Sequence, residues 1–363
     1  MGASDIHLER YEAYARVRFR WEGKLLEKYT VSPAQYNAIV SRLKILSELD
    51  IAEKRLPQDG RMQLVHQDQV MDVRVSTIPG KFGEKVVLRL LNRSVEFLQL
   101  ENLGMREKEL ALFQQSIQQP NGIILITGPT GSGKTTTLYA ALNQLNRTDR
   151  NITTIEDPIE YNLPGINQVQ LKPEIGLDFE RALRAFLRQD PDIIMVGEIR
   201  DEATASIAIR AALTGHLVLS TLHTNSSLDV IHRLTDMGVA PYLIPATLRL
   251  SVAQRLVRLL CPHCKSATQE VSSLRLPEEL VLKEHYLPVG CPRCNFTGYH
   301  RRTAIYEMLP IRPETEAFLQ QDRTTQRASL PTYFPDFNSL RDQAFRLVQA
   351  GETSLEEVYA WLI

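Results

Sequence analysis

Eight consecutive residues, Gly128-Pro129-Thr130-Gly131-Ser132-Gly133-Lys134-Thr135, fit the pattern G-x-x-x-x-G-K-S/T. This loop cradles nucleotide phosphates. Its glycines let the backbone curl so that successive N–H groups face the ligand, and a helix N-terminus adds positive potential. An apolar strand enters the loop and a helical pattern leaves it, the context that separates it from a chance glycine-rich turn. Lys134 is expected at the β- and γ-phosphates of ATP and the Thr135 hydroxyl at Mg²⁺. Thr136, the next residue, completes the expected nucleotide-binding set.

Two acidic groups follow at candidate strand ends. Asp192-Ile-Ile-Met-Val-Gly-Glu198 is an apolar run closing on a carboxylate. Ligands of α/β sheets sit at that edge, so Glu198 is a candidate to orient a Mg²⁺-bound water or to polarise the attacking water. Most sequences of this kind place Asp directly after the apolar run, where this one has Gly197. Glu156-Asp157-Pro158-Ile159-Glu160 follows the run Asn151–Ile155, and Glu160 is a second candidate for the base. A solvated loop acid is the plain alternative for each. His216 and His223 flank the run Leu217–Leu222, and both are candidates to sense the γ-phosphate.

Cys261-Pro-His-Cys264 and Cys291-Pro-Arg-Cys294 form two C-x-x-C knuckles. Four thiolates suit tetrahedral Zn²⁺, and a closed set of four makes a structural site. The gap between the knuckles is longer than usual for such sites, which predicts a small subdomain over 261–294. Disulfides or free core thiols are the alternatives.

These residues need elements to position them. From about Leu103 strand–loop–helix units repeat, with strands expected at Gly122–Thr127, Asn151–Ile155, Asp192–Val196 and Leu217–Leu222. This predicts an α/β fold with a mainly parallel sheet covered on both faces. The N-terminal stretch reads as a mixed α/β unit. Ala15–Trp21 alternates, with arginines on one face and Val17, Phe19 and Trp21 on the other, and Glu22-Gly23 reads as a turn. Pro33–Leu49 reads as a helix with Ile39, Leu43 and Leu46 at helical spacing. Gln69–Ser76 and Glu84–Leu91 read as strands. The boundary is expected near Ser94–Gly104, giving domains 1–98 and 99–363. Ser354 and Glu357 fit a capping box for the last helix, within a helical C-terminal region 310–363.

The 363 residues are 43% apolar and 23% charged, with a net charge of −1. That excludes a disordered or collagen-like chain and gives no global basic field for nucleic acid. No apolar run approaches the ~18 residues of a membrane span, so a cytoplasmic protein is expected.

Taken together, these motifs resemble one family. Ala3-Ser4-Asp5-Ile6-His7-Leu8-Glu9 and Arg55-Leu56-Pro57-Gln58-Asp59-Gly60-Arg61 come first. The phosphate loop and the acidic box Ile155–Glu160 follow. Leu187–Asp192, Val196–Asp201, and Thr214-Gly215-His216 through Asn225 complete the order. The chain is similar throughout to the ATPases of type II secretion and type IV pilus assembly. The resemblance implies a PAS-like N-terminal domain joined to a RecA-like P-loop core, with ATP held between them in a homohexameric ring. It implies partners too: an inner-membrane platform protein and the cytoplasmic domain of a membrane docking protein, with the ring peripheral on the cytoplasmic face. The Ser-Asp-Ile-His motif begins at residue 4, so the docking module that relatives carry ahead of it is expected to be missing.

The resemblance also assigns Arg74 and Arg89, each inside a strand where a charge needs a partner, as arginines that reach the γ-phosphate. The alternative for each is a structural ion pair. Arg184 and Arg188, four apart, would share a helix face and point either to a neighbouring nucleotide or to solvent. The tetracysteine element favours the assembly and secretion branch over retraction motors. The reading reached is a type II secretion motor that builds a pseudopilus, with type IV pilus extension as the runner-up. A nucleic-acid motor of RecA type is the rival from another class. Arg249, Arg255 and Arg258 follow a helical spacing, but no aromatics interleave them for stacking on bases.

Overall fold

The computed structural model describes residues 3–21, 23–66, 69–91, 98–268, 276–277, 280–282 and 284–363. Glu22 of the expected turn and Ser94 at the expected boundary lie outside them. The chain divides into two compact units, Met1–Ser94 and Val95–Ile363.

Among the described residues the first unit is a six-stranded antiparallel sheet with one helix. Its strands are β1 (Ala3–Arg10), β2 (Ala15–Trp21), β3 (Lys24–Val31), β4 (Gln58–His66), β5 (Gln69–Ile78) and β6 (Lys85–Leu91), in the order β3-β2-β1-β6-β5-β4. Helix α1 (Pro33–Leu46) starts at a capping box of Ser32 and Gln35. It buries Tyr36, Val40 and Lys44, whereas Ile39 and Leu46 of the expected helical stripe are exposed. Polar groups decide which face turns in. The Tyr36 hydroxyl donates to the carbonyls of Leu8 (3.0 Å) and Glu84 (2.6 Å), and Lys44 Nζ to those of Asp50 (3.2 Å) and Glu53 (2.7 Å). Val73, Val75, Val86 and Leu88 complete that core.

The second unit is built on a seven-stranded sheet. Its strands are β7 (Gly122–Thr127), β8 (Ile152–Glu156), β9 (Asn167–Gln170), β10 (Ile193–Val196), β11 (Leu217–Leu222), β12 (Leu248–Leu260) and β15 (Tyr299–Pro310), in the order β15-β12-β7-β11-β10-β8-β9. All neighbours are parallel except β12 with β15. The interior strands are apolar on both faces, as a doubly covered parallel sheet requires. Along β7, Ile123 and Leu125 pack into the cluster that holds α4 (Phe179–Phe186), α5 (Glu202–Leu213), α6 (Asp229–Asp236) and α7 (Leu243–Thr247). Ile124 and Ile126 face the other way, toward α2 (Glu107–Ile117) and α3 (Lys134–Leu145).

Residues 248–260 correct the helical reading of Arg249, Arg255 and Arg258. This run forms β12, paired on one side with β7 and on the other with β15. Both faces are covered, so it lacks the alternation that marks a half-exposed strand, and its leucines suit a helix equally well in isolation. Pairing on both edges decides the outcome.

Beyond β12, β13 (Lys265–Thr268) and β14 (His285–Pro288) form a small antiparallel pair between the cysteine knuckles. The chain ends in α8 (Glu316–Leu319), α9 (Arg323–Tyr333), α10 (Leu340–Gln349) and α11 (Leu355–Leu362). Only half of the expected capping box forms at α11. Glu357 N donates to Ser354 Oγ (3.3 Å), but the Glu357 carboxylate turns to Arg258, accepting from its Nε at 3.0 Å and from its Nη2.

Candidate active site

The phosphate loop joins the fully buried β7 to the first turn of α3. Gly133, with φ of +87°, caps that helix, a conformation that disfavours any residue with a Cβ. At Gly128 (φ +148°) a Cβ would meet Gln254 O at 2.5 Å, Ser132 Oγ at 2.7 Å and Arg255 Nη1 at 3.0 Å. Lys134 curls back over the loop, and its Nζ donates to the carbonyls of Gly128 (2.7 Å) and Pro129 (3.1 Å). Burial holds its pKa below the ordinary lysine value, and the nearby Glu198 opposes that shift. Ser132 Oγ is buried without a hydrogen-bond partner. Buried hydroxyls are normally satisfied, so this atom and the lysine fit a phosphate group. Thr135 is exposed, its hydroxyl available to a cation at the head of α3. Gly131, Pro129 and Thr130 are exposed at the loop's outer bend, and Thr136 is half-buried.

The carboxyl ends of β10 and β11 bring two more groups together. Glu198 Oε2 lies 3.3 Å from His223 Nε2, and Glu198 Oε1 pairs with Arg200. Arg200 also lies 4.0 Å from Asp157. Its guanidinium pKa is raised, chiefly by the hydrogen bond to Glu198. Arg200 stands in the motif Val196–Asp201, two residues after Glu198, but the sequence alone assigns it no role. Gly197 allows the close passage here. A Cβ at this position would lie 3.3 Å from Ile155 O and 3.4 Å from Glu156 Cα.

Glu156 in the acidic box is buried. It accepts from the Tyr139 hydroxyl, from Thr154 Oγ1 (2.6 Å) and from Gln168 Nε2 (3.1 Å). Its lone pairs are committed to structure. Glu160, the expected alternative base, is half-buried, and its backbone N–H donates to the same Tyr139 oxygen at 3.2 Å.

His216 is corrected. It precedes β11, at the opposite sheet edge from His223, and six strand residues separate the two by roughly 20 Å. Its Nδ1 sits 2.9 Å from the Ala211 carbonyl, where it closes the C-terminus of α5. Arg188 is corrected as well, because α4 ends at Phe186 and leaves it beyond the helix. Arg188 donates to the Arg184 carbonyl at 2.7 Å, while Arg184 pairs with Glu180 at 2.6 Å on an exposed face.

On the first unit, Arg74 of β5 lies directly opposite Arg89 of β6, and Arg61 of β4 directly opposite Arg74. Cross-strand partners share a face, so three arginines line up on the face away from the Val73–Val75 core. Asp5 is opposite Arg89 from β1 and pairs with it at 3.0 Å. Arg16 and Arg18 both reach Glu9 at 2.8 Å, and Arg20 lies 3.6 Å from Asp5, so the β2 arginines are structural.

The Sγ atoms of Cys261, Cys264, Cys291 and Cys294 all lie within 4.8 Å of one another. Cys261–Cys291 is 3.9 Å, Cys264–Cys294 3.8 Å and Cys291–Cys294 3.8 Å. Tetrahedral Zn–S bonds of about 2.3 Å separate sulfurs by about 3.8 Å, so the donor set fits one zinc ion. The spacing is far too long for disulfides. The backbone N–H groups of Cys291 (3.1 Å) and Gly298 (3.3 Å) point at Cys294 Sγ, as donors do around a bound thiolate.

An α/β sheet with a phosphate loop, a carboxylate and a histidine at adjacent strand ends defines a P-loop NTPase. The family model for the type II/IV secretion system protein matches residues 1–360, and the chain belongs to that family. The type II secretion system protein HxcR of Pseudomonas aeruginosa is 49% identical, covering 98% of this chain and 73% of the relative. The type IV pilus assembly ATPase PilB of Myxococcus xanthus is also 49% identical, covering 98% and 64%. The pilus retraction motor PilT with bound ADP has a similar structure. Its TM-score is 0.66 at 26% identity, over 99% of this chain and 93% of that one. The protein is an ATPase of the secretion and pilus class. Among the described residues no helix is long and apolar enough to cross a membrane.

Proposed function

We propose that this chain is the motor of a type II secretion system, hydrolysing ATP to assemble a pseudopilus. The observation that carries the hydrolytic reading is the convergence of Lys134, the orphaned Ser132 hydroxyl and the Glu198–His223 pair at one sheet edge. The loop N–H groups and Lys134 hold the phosphates, and Thr135 holds Mg²⁺. When bound, Mg²⁺ neutralises charge on the transferring phosphoryl group. Glu198 orients the attacking water and accepts its proton, and His223 fixes the Glu198 carboxylate. Glu160 is the second carboxylate available to that water. Arg74 and Arg89 stabilise γ-phosphate charge. The cysteine cluster holds a structural Zn²⁺ that pins the two knuckles together.

We further propose a homohexamer on the cytoplasmic face of the inner membrane, working through a platform protein and a docking protein, as the resemblance to secretion and pilus ATPases implies. Type IV pilus assembly is the second reading, favoured by the equal identity to the pilus assembly ATPase. Phosphate release from Mg·ATP tests the enzymatic core. The parent protein should turn over, and Lys134→Ala should bring the rate to background. Turnover in Lys134→Ala equal to the parent overturns the reading.

A further inference from the structure

A buried cation stands behind the phosphate loop. Arg255 on β12 is 7% exposed, and its Nη1 is one of the three atoms nearest to where a Cβ on Gly128 would lie, at 3.0 Å. Both of its described hydrogen bonds go to backbone carbonyls, from Nη1 to Gln254 O at 3.0 Å and from Nη2 to Asn225 O at 2.8 Å. A buried anion approaches the same segment from β15. Glu307, 6% exposed, accepts from Ser227 N and Ser227 Oγ at 2.8 Å with one oxygen. Its other oxygen accepts from Leu340 N at 3.2 Å, in the first turn of α10.

Three further bonds complete the enclosure. Ser251 Oγ of β12 donates to Ser227 O at 2.7 Å. Thr127 Oγ1, the last residue of β7, accepts from Thr224 N at 2.6 Å and from Thr224 Oγ1 at 2.8 Å. Residues 223–226 are neither helix nor strand, yet side chains from β7, β12 and β15 fix their course. The segment begins at His223, which touches Glu198. Burying charged side chains costs desolvation. Here the two charges bind main-chain groups of a segment that no sheet or helix ladder satisfies.

We infer that Arg255 and Glu307 are positioning residues for hydrolysis. They clamp residues 224–227 between the phosphate loop and α10, and so hold His223 in place against Glu198. The bond from Leu340 N to Glu307 makes the start of α10 part of the clamp, so the C-terminal helices and the nucleotide site share one set of buried bonds. The inference rests on the proposed hydrolytic role of Glu198 and His223.

The test is a set of full-length variants assayed for ATP turnover, with folding checked by circular dichroism. Arg255→Lys keeps the charge but cannot bridge two carbonyls with a fixed fork. Glu307→Gln keeps the shape and loses the charge. Each should lower kcat by about tenfold or more while KM for ATP stays within about threefold, because misplacement of reacting groups acts on the chemical step. In a Glu198→Gln background Arg255→Lys should add less than about a twofold loss, since residues acting as one unit are non-additive. Ser251→Ala, a milder cut to the same clamp, should lower kcat with KM unchanged and covers the case in which a charged variant fails to fold. A slow Glu198→Gln with Arg255→Lys, Glu307→Gln and Ser251→Ala all at the parent kcat overturns the clamp and leaves the site reading standing. Glu198→Gln at the parent rate overturns both. Equal losses in kcat and nucleotide affinity overturn the clamp in favour of a general packing role.

Discussion

Glu198 and His223 meet at 3.3 Å although 25 positions separate them in the chain. They close adjacent parallel strands, β10 and β11, whose register pairs Val196 with Ser220. Thr221 Oγ1 donates to Gly197 O at 2.7 Å, and Ile199 N to Thr221 O at 3.0 Å. The strand ends are therefore stitched beyond the ladder, and the pair inherits its geometry from the sheet.

The tetracysteine cluster predicts one Zn²⁺ per chain. Metal analysis of freshly purified, reduced protein should return close to one equivalent. Chelation should loosen residues around β13 and β14 before the seven-stranded sheet, because zinc binding energy is local folding energy. Less than about half an equivalent of zinc counts against four-thiolate ligation.

Arg74→Ala and Arg89→Ala should each lower kcat with ADP affinity unchanged, since ADP lacks the γ-phosphate. Arginine fingers contribute about 10³-fold or more in other NTPases, so a tenfold loss is a conservative expectation. Arg89 is paired with Asp5 at 3.0 Å, so folding of each variant is checked by circular dichroism beside its rate. Parent rates in both variants would make these arginines structural.

Glu9 predicts an acid limb in the stability of the first unit. Burial raises its pKa, but the hydrogen bonds from Arg18 and Arg16 outweigh that and bring it from 4.5 to about 2. Its folded-state value is depressed, so its contribution is fully present above about pH 4.5 and is lost as pH falls toward 2. Glu9→Gln should flatten the fall in thermal midpoint over that range and cost about 1–3 kcal/mol at neutral pH. An unchanged acid limb contradicts the assignment.

Tyr139 and Glu156 predict a structural cost without a chemical one. Tyr139→Phe removes a donor from a buried carboxylate and should destabilise the second unit by about 1–3 kcal/mol. At temperatures where the variant is folded, KM for ATP should stay within about threefold. A large loss of kcat at full folding would bring Glu156, or Glu160, whose N–H donates to the same hydroxyl, into the chemistry.

Local signals were the legible ones. The phosphate loop, the cysteine knuckles and the apolar runs β7 and β11 are written in consecutive residues. β12 looks helical in sequence because a strand covered on both faces carries no period, and only its pairing with β7 and β15 distinguishes it from a helix. His216 and His223 look equivalent in sequence, and strand direction alone separates them. Burial of Lys44 in place of Ile39 depends on carbonyls contributed by residues 50 and 53. The clamp residues Arg255 and Glu307 have no motif. Their roles come from β12 and β15 lying side by side, where Ala253 faces Glu307.

The most direct measurement is the turnover of Glu198→Gln beside its affinity for Mg·ATP. The amide preserves shape and one acceptor oxygen but cannot take a proton. A positioned base is worth about 10²–10⁴-fold. The account predicts parent-like binding of Mg·ATP with kcat reduced by at least about a hundredfold. Undiminished kcat in this variant contradicts the assignment of hydrolysis to the Glu198–His223 pair.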